Sequence, residues 1–155
     1  VKENIELALQ NSSFSLAAIR NRSEKLINEF NLNKFVDNFG YQLSGGERRR
    51  CEIARALSVG RKGPKYLLLD EPFAGIDPLA VNDLKKIILK LSHTGVGILI
   101  TDHNVRETLL ITNKSYVLSE GKILAYGSST ELADNQIVKK FYLGDNFQLW
   151  DTYAK

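Results

Sequence analysis

Methionine is absent from this sequence of 155 residues, and position 1 is Val. A complete reading frame opens on Met, so the sequence reads either as a processed protein or as a piece of a longer one. Cysteine occurs once, which excludes an intramolecular disulfide framework, and one Cys with two His makes no Cys-rich zinc site. An excess of one charge sign is also missing. The 21 Lys and Arg against 18 Asp and Glu leave +3, too little to argue for a nucleic-acid partner. Long apolar runs are missing too. Tyr66-Leu67-Leu68-Leu69 and Gly97-Ile98-Leu99-Ile100 are strand-sized, far short of the ~18 residues that mark a spanning helix. The polar opening Val1-Lys2-Glu3-Asn4 lacks a signal-peptide apolar region, so a cytoplasmic chain is expected.

What is present is an ordinary globular balance. A 43% hydrophobic and 25% charged composition argues against disorder for most of the chain, and the length suits about one domain. Residues 1–9 and 16–30 carry apolar positions at helical spacing, separated by a break at Asn11-Ser12-Ser13. Residues 31–42 read as a short helix and a loop, and residues 44–57 as a helix. Residues 65–70 form a continuous apolar strand of the kind buried in a parallel sheet. An amphipathic helix over 79–91 presents Val81, Leu84, Ile87, Ile88 and Leu91 on one face, and residues 97–101 make a second buried strand. Residues 105–111 are helical. A hairpin turns at Glu120-Gly121, and Ser128 with Glu131 offers a capping box for a last helix. This alternation predicts an α/β core with parallel strands.

Three clusters carry chemistry. In Leu43-Ser44-Gly45-Gly46-Glu47-Arg48-Arg49-Arg50, Ser44 can cap a helix and Glu47 can close the box. The paired glycines leave backbone N–H groups uncovered, and the helix dipole favours an anion there. The same residues also read as an ordinary capped helix with a solvated basic face. In Leu67-Leu68-Leu69-Asp70-Glu71-Pro72 an apolar strand ends in two carboxylates, at the sheet edge where α/β ligand sites lie. An Asp there suits Mg²⁺, and a following Glu can polarise water. Two solvated acids at a strand end are the plainer alternative. In Leu99-Ile100-Thr101-Asp102-His103-Asn104 a second strand runs into polar groups, and His103 would stand beside Asp70 and Glu71 if the strands are neighbours. His93 reads as structural, and Cys51 as a small buried packing residue.

In this order the clusters resemble the ATP-binding subunits of ABC transporters. Residues 43–47 resemble the signature motif, 67–71 the Walker B strand with its catalytic glutamate, 74–77 the D-loop, and His103 the switch histidine. The likeness extends from Val1 to about Phe147. The runs at 44–50, 70–78 and 101–108, with the ending Tyr142-Leu143-Gly144-Asp145-Asn146-Phe147, are most similar to the lipopolysaccharide-export members of the family. Branched-chain amino-acid transporter ATPases are the nearest alternative. Soluble ABC ATPases of repair or translation and a truncated, non-catalytic binding module are others. The phosphate-cradling G-x-x-x-x-G-K-[ST] does not occur in these residues, since Gly40 and Gly45 are followed by Gly46 and Glu47.

The resemblance implies the P-loop NTPase (RecA-like) ABC ATPase fold. Residues 1–57 would be the helical signature subdomain, 58–147 the later part of the α/β core, and 148–155 a tail. The Walker A portion would precede Val1. It implies ATP and Mg²⁺ as cofactors, sandwiched head to tail between two subunits. Ser44, Gly45, Gly46 and Glu47 would meet the partner's ATP, Asp70 would hold Mg²⁺, Glu71 would activate water, and His103 would contact the γ-phosphate. Asp77 would lie at the dimer interface. Transmembrane permease subunits would be the further partners, with the ATPase peripheral on the cytoplasmic face of the inner membrane and no nucleic acid involved. Alone, the 155 residues are expected to show no ATPase activity, and their core to expose a sheet. Arg48-Arg49-Arg50 reads as the solvated face of the signature helix. Phe147, Trp150 and Tyr153 make an aromatic tail suited to core cover or a dimer contact.

Overall fold

The computed structural model describes residues 1–10, 14–60, 62–144 and 147–149. Asn11-Ser12-Ser13, Asp145-Asn146, Trp150 and Tyr153 lie outside the described residues. The chain divides into two units, Val1–Thr101 and Asp102–Lys155.

The first unit opens with two helices. Ile5 and Leu9, one turn apart, are fully buried on α1 (Lys2–Gln10), and Ile19, Leu26 and Ile27 form the matching face of α2 (Leu16–Glu29). Ser15 caps α2 by accepting from the Ala18 N–H. Between residues 31 and 42 the expected short helix and loop is a pair of 3-10 turns, Asn33–Phe35 and Gly40–Gln42. Helix α3 (Gly45–Leu57) buries Ile53, Ala54 and Leu57.

Strand β1 (Tyr66–Asp70) and β2 (Gly97–Thr101) pair in parallel, Leu68 opposite Leu99 and Asp70 opposite Thr101. Between them runs α4 (Pro78–His93), whose Val81, Leu84, Ile88 and Leu91 are buried and whose Ile87 is half-buried. Each buried side chain of this kind contributes about 2 kcal/mol by leaving water. His93 is exposed in the last turn of α4, where a basic group complements the dipole. An ion pair of 2.8 Å from Lys90 to Glu29 ties α4 to α2.

The two strands depart from the reading of each as fully buried and accord with the expectation of an exposed sheet. Leu67 is 5% exposed, but Tyr66, Leu68 and Leu99 are 73%, 72% and 60% exposed. One face of the sheet is covered and the other is open. An apolar run specifies that both faces can be buried. It does not supply the layers that bury them.

The second unit is built on a hairpin, β3 (Ser115–Ser119) and β4 (Lys122–Gly127), antiparallel with a bulge between Val117 and Leu118. Glu120 at φ 49° and Gly121 at φ 73° give the two-residue turn the left-handed backbone that matches strand twist. Helices α5 (Val105–Leu109), α6 (Ser129–Asp134) and α7 (Gln136–Val138) follow their capping residues Asn104, Ser128 and Asn135. A π turn, Lys139–Leu143, continues α7. Leu109, Val117, Leu132, Ala133, Val138 and Leu149 make the core of this unit.

Candidate functional site

The site starts at the N-terminus of α3. The Ser44 N–H donates to Glu47 Oε2 at 2.8 Å, and the Glu47 N–H donates to Ser44 Oγ at 3.4 Å. The expected capping box is therefore formed, and Ser44 stays exposed with its hydroxyl proton available to a ligand. The glycines behave differently from expectation. Gly46 is buried, and a Cβ on it would stand 2.6 Å from the Ala80 Cβ. A Cβ on Gly45 would stand 2.9 Å from both the Gly75 carbonyl oxygen and Ile76 Cγ2. Their small size is used to bring α3 against residues 75–80. Only Gly45, half-buried, keeps part of its backbone open beside Ser44.

That packing joins the first cluster to the loop after β1. Gly75, at φ 68°, turns this loop, and Asp77 ends it by accepting from the Ala80 N–H at 2.9 Å as the cap of α4. Asp77 is exposed and has this structural task in addition to any contact it makes with a ligand or partner.

The carboxylate pair lies at the end of β1. Asp70 accepts a short hydrogen bond from the Thr101 hydroxyl, its partner in the parallel register. Glu71 is exposed and adopts φ 46°, left-handed for a residue with a side chain. Its peptide is held on both sides. The Glu71 N–H donates to the Thr101 carbonyl at 2.7 Å, and its carbonyl accepts from the Ala74 N–H at 3.2 Å. The Arg49 guanidinium also donates to that carbonyl, at 3.2 Å, and to Glu52 at 2.9 Å. Arg49, Glu52, Ile53 and Ala56 face Leu67, Leu69, Asp70 and Pro72 across a cavity of about 140 Å³.

The arginine run is therefore not simply a solvated face. Arg48 is exposed, Arg49 is turned to the strand end, and Arg50 Nε is buried without a hydrogen bond. Cys51 is half-buried, and burial pushes its thiol up despite the lowering influence of the N-terminal amine and Arg55. A raised thiol has little nucleophilic thiolate, which agrees with a packing role.

His103 belongs to the second unit. Its side chain is 72% exposed, and Nδ1 stands 3.9 Å from Oδ1 of Asp102, whose side chain is fully buried. Asp102 accepts from the Asn104 N–H at 2.8 Å, and Asn104 caps α5. Asp102 and Thr101 were not singled out from the sequence. The parallel pairing of the two strands was the signal that sets Thr101 opposite Asp70. No local signal distinguishes Arg49 from its two arginine neighbours.

Among the described residues no group of three or more His, Cys, Asp or Glu is arranged to hold a metal. No helix among them is long and apolar enough to cross a membrane.

A family model described as ABC transporter matches residues 1–74. The chain is 52% identical over 130 residues to the lipopolysaccharide export system ATP-binding protein LptB of Haemophilus influenzae, covering 84% of this chain and 53% of that protein. It is 47% identical over 150 residues to LptB of Escherichia coli, covering 96% of this chain and 61% of that protein. The chain thus spans 53% to 61% of the length of these relatives. Among solved structures, an ATP-binding cassette of an ABC transporter superposes with a TM-score of 0.77 at 25% identity, over 92% of this chain and 62% of that one. A cassette in a dimeric post-hydrolysis state bound to ADP and Pi superposes with a TM-score of 0.70 at 24% identity, over 83% of this chain and 56% of that one.

Proposed function

The chain belongs to the family of ABC transporter ATP-binding proteins, and from that membership we propose that it forms part of the ATP-hydrolysing subunit of a lipopolysaccharide exporter. Its α/β fold is that of the ATP-binding cassettes, within the P-loop NTPases. The observation that carries the reading is the close packing of the capped α3 N-terminus on the loop that follows Asp70 and Glu71. The helix end that would meet the second subunit's ATP is thereby tied to the loop that follows the carboxylate pair.

The exposed Ser44 hydroxyl and the half-open backbone of Gly45 suit the γ-phosphate of an ATP carried by a second subunit. Glu47 braces Ser44 through the capping box. Glu71 orients the attacking water, and His103, exposed beside a buried Asp102, contacts the γ-phosphate. Asp77 links the two halves of such a dimer. The chemistry is positioning and charge stabilisation.

Mg²⁺, when bound, would supply charge neutralisation on the phosphates. Asp70 fits it, being a hard oxygen donor at an exposed strand end, one of whose carboxylate oxygens accepts from the Thr101 hydroxyl. Mg²⁺ sites of this type use one or two carboxylates plus substrate phosphates. The phosphate loop comes from outside these 155 residues, in which its motif does not occur. The partners are a second, head-to-tail cassette subunit and transmembrane permeases, with the ATPase on the cytoplasmic face of the inner membrane.

Glu71→Gln in the complete cassette tests the reading. It is expected to retain ATP and to lose nearly all turnover, and undiminished steady-state hydrolysis would overturn it. Reconstitution with the permeases in lipopolysaccharide-loaded vesicles tests the cargo. ATP-dependent extraction is the expected result, and its absence with hydrolysis intact would remove the cargo while leaving the ATPase.

A further inference from the structure

We infer that Arg49 is a positioning residue that makes the aim of the Glu71 carboxylate depend on helix α3. The inference rests on the proposal that Glu71 orients the attacking water. Three observations carry it.

First, Glu71 holds a left-handed backbone at φ 46°, a conformation that a residue with a side chain keeps only when its surroundings impose it. Second, the Arg49 guanidinium reaches out of α3 to the Glu71 carbonyl at 3.2 Å and is itself fixed by Glu52 at 2.9 Å, one nitrogen for each contact. A planar fork can serve both acceptors at once. A lysine ammonium has no such fixed geometry. Third, α3 is the helix whose first residues, Ser44 and Gly45, would meet phosphate under the proposed function, and Gly45 and Gly46 pack it closely onto residues 75–80. A shift of α3 on meeting phosphate would carry residues 75–80 with it, and Arg49 adds a direct link from α3 to the Glu71 carbonyl. Arg49 touches neither phosphate nor water in this scheme. It acts through Glu71.

The test uses the complete cassette. Arg49→Ala should lower kcat roughly tenfold to a hundredfold, the scale of a misplaced catalytic group, while KM for ATP stays within about twofold. Arg49→Lys should recover part of the loss and Glu52→Gln should reproduce part of it. On a Glu71→Gln background, Arg49→Ala should add less than about a further twofold, because the two residues act as a unit. A loss expressed in KM, or one that multiplies fully with Glu71→Gln, would overturn the inference.

If Glu71→Gln itself leaves turnover intact, the reading of Glu71 fails separately. The clamp is then decided by the ¹³C carbonyl shift of Glu71 in the purified chain. A displaced resonance in Arg49→Ala, partly restored in Arg49→Lys, retains the clamp. An unmoved resonance overturns it.

Discussion

Gly46 packs directly on the methyl group of Ala80, so closely that a Cβ on Gly46 would stand 2.6 Å from it. Alanine is the better helix former by about 1 kcal/mol, but overpacking of this kind costs roughly 1–3 kcal/mol. The clash dominates because both atoms are fixed to helical backbone and neither can swing away. Gly46→Ala is therefore expected to destabilise the chain in urea unfolding. Ala80→Gly, itself destabilising, should recover part of that loss when combined with it. Strict additivity of the two changes would show that the contact is not the cause.

Glu131 provides a pH-dependent element. Its carboxylate accepts from the Ser128 N–H and hydroxyl, both at 2.8 Å, and these hydrogen bonds hold its pKa below the ordinary glutamate value. The unfolded chain takes up this proton at higher pH than the folded one. The stabilisation is therefore complete above the ordinary value and is lost as pH falls through the lowered native one. An NMR titration of Glu131 should show the lowered midpoint. Glu131→Gln should flatten the acid limb of the stability profile, and an identical acid limb would remove the assignment.

Cys51 should be slow to alkylate. Burial raises its thiol, so the thiolate fraction near neutral pH is below that of an open cysteine. Iodoacetamide should modify the folded chain more slowly than the urea-unfolded chain. Equal rates would mean that α3 leaves the sulfur accessible.

The open face of the parallel sheet should govern the solution behaviour of these residues. Tyr66, Leu68 and Leu99 present a contiguous apolar surface next to unpaired strand edges. Concentration-dependent association in sedimentation is expected. Leu68→Lys with Leu99→Lys should reduce it while changing stability by less than about 0.5 kcal/mol per site, as exposed substitutions do. Association that ignores both lysines would place the sticky surface elsewhere.

The parts of the fold governed by neighbours in sequence were legible. Both capping boxes, Ser44 with Glu47 and Ser128 with Glu131, follow from spacing, as does the Glu120-Gly121 turn. Parallel strands were legible as well, but the pairing of β1 with β2 and the register that sets Asp70 opposite Thr101 were not. The rest depends on partners distant in the chain. The role of Gly46 is set by Ala80, and the orientation of Arg49 by the Glu71 carbonyl. Whether Leu68 is covered depends on layers that an apolar run cannot announce. The 3-10 turns at Asn33–Phe35 and Gly40–Gln42 stand where a short helix and a loop were expected, because neither has a strong local code.

The handedness of the backbone at Glu71 bears on how the proposed chemistry could be lost. Position 71 sits at φ 46°, where glycine is relaxed and a residue with a Cβ is disfavoured by about 1 kcal/mol. Glutamate and glycine codons differ by a single base. Drift to glycine would therefore erase the carboxylate while easing the backbone, and no compensating substitution would be needed to keep the chain folded. Under the proposed role of Glu71, well-folded paralogues without the acid lie one mutational step away, and selection on turnover would be what keeps it in place.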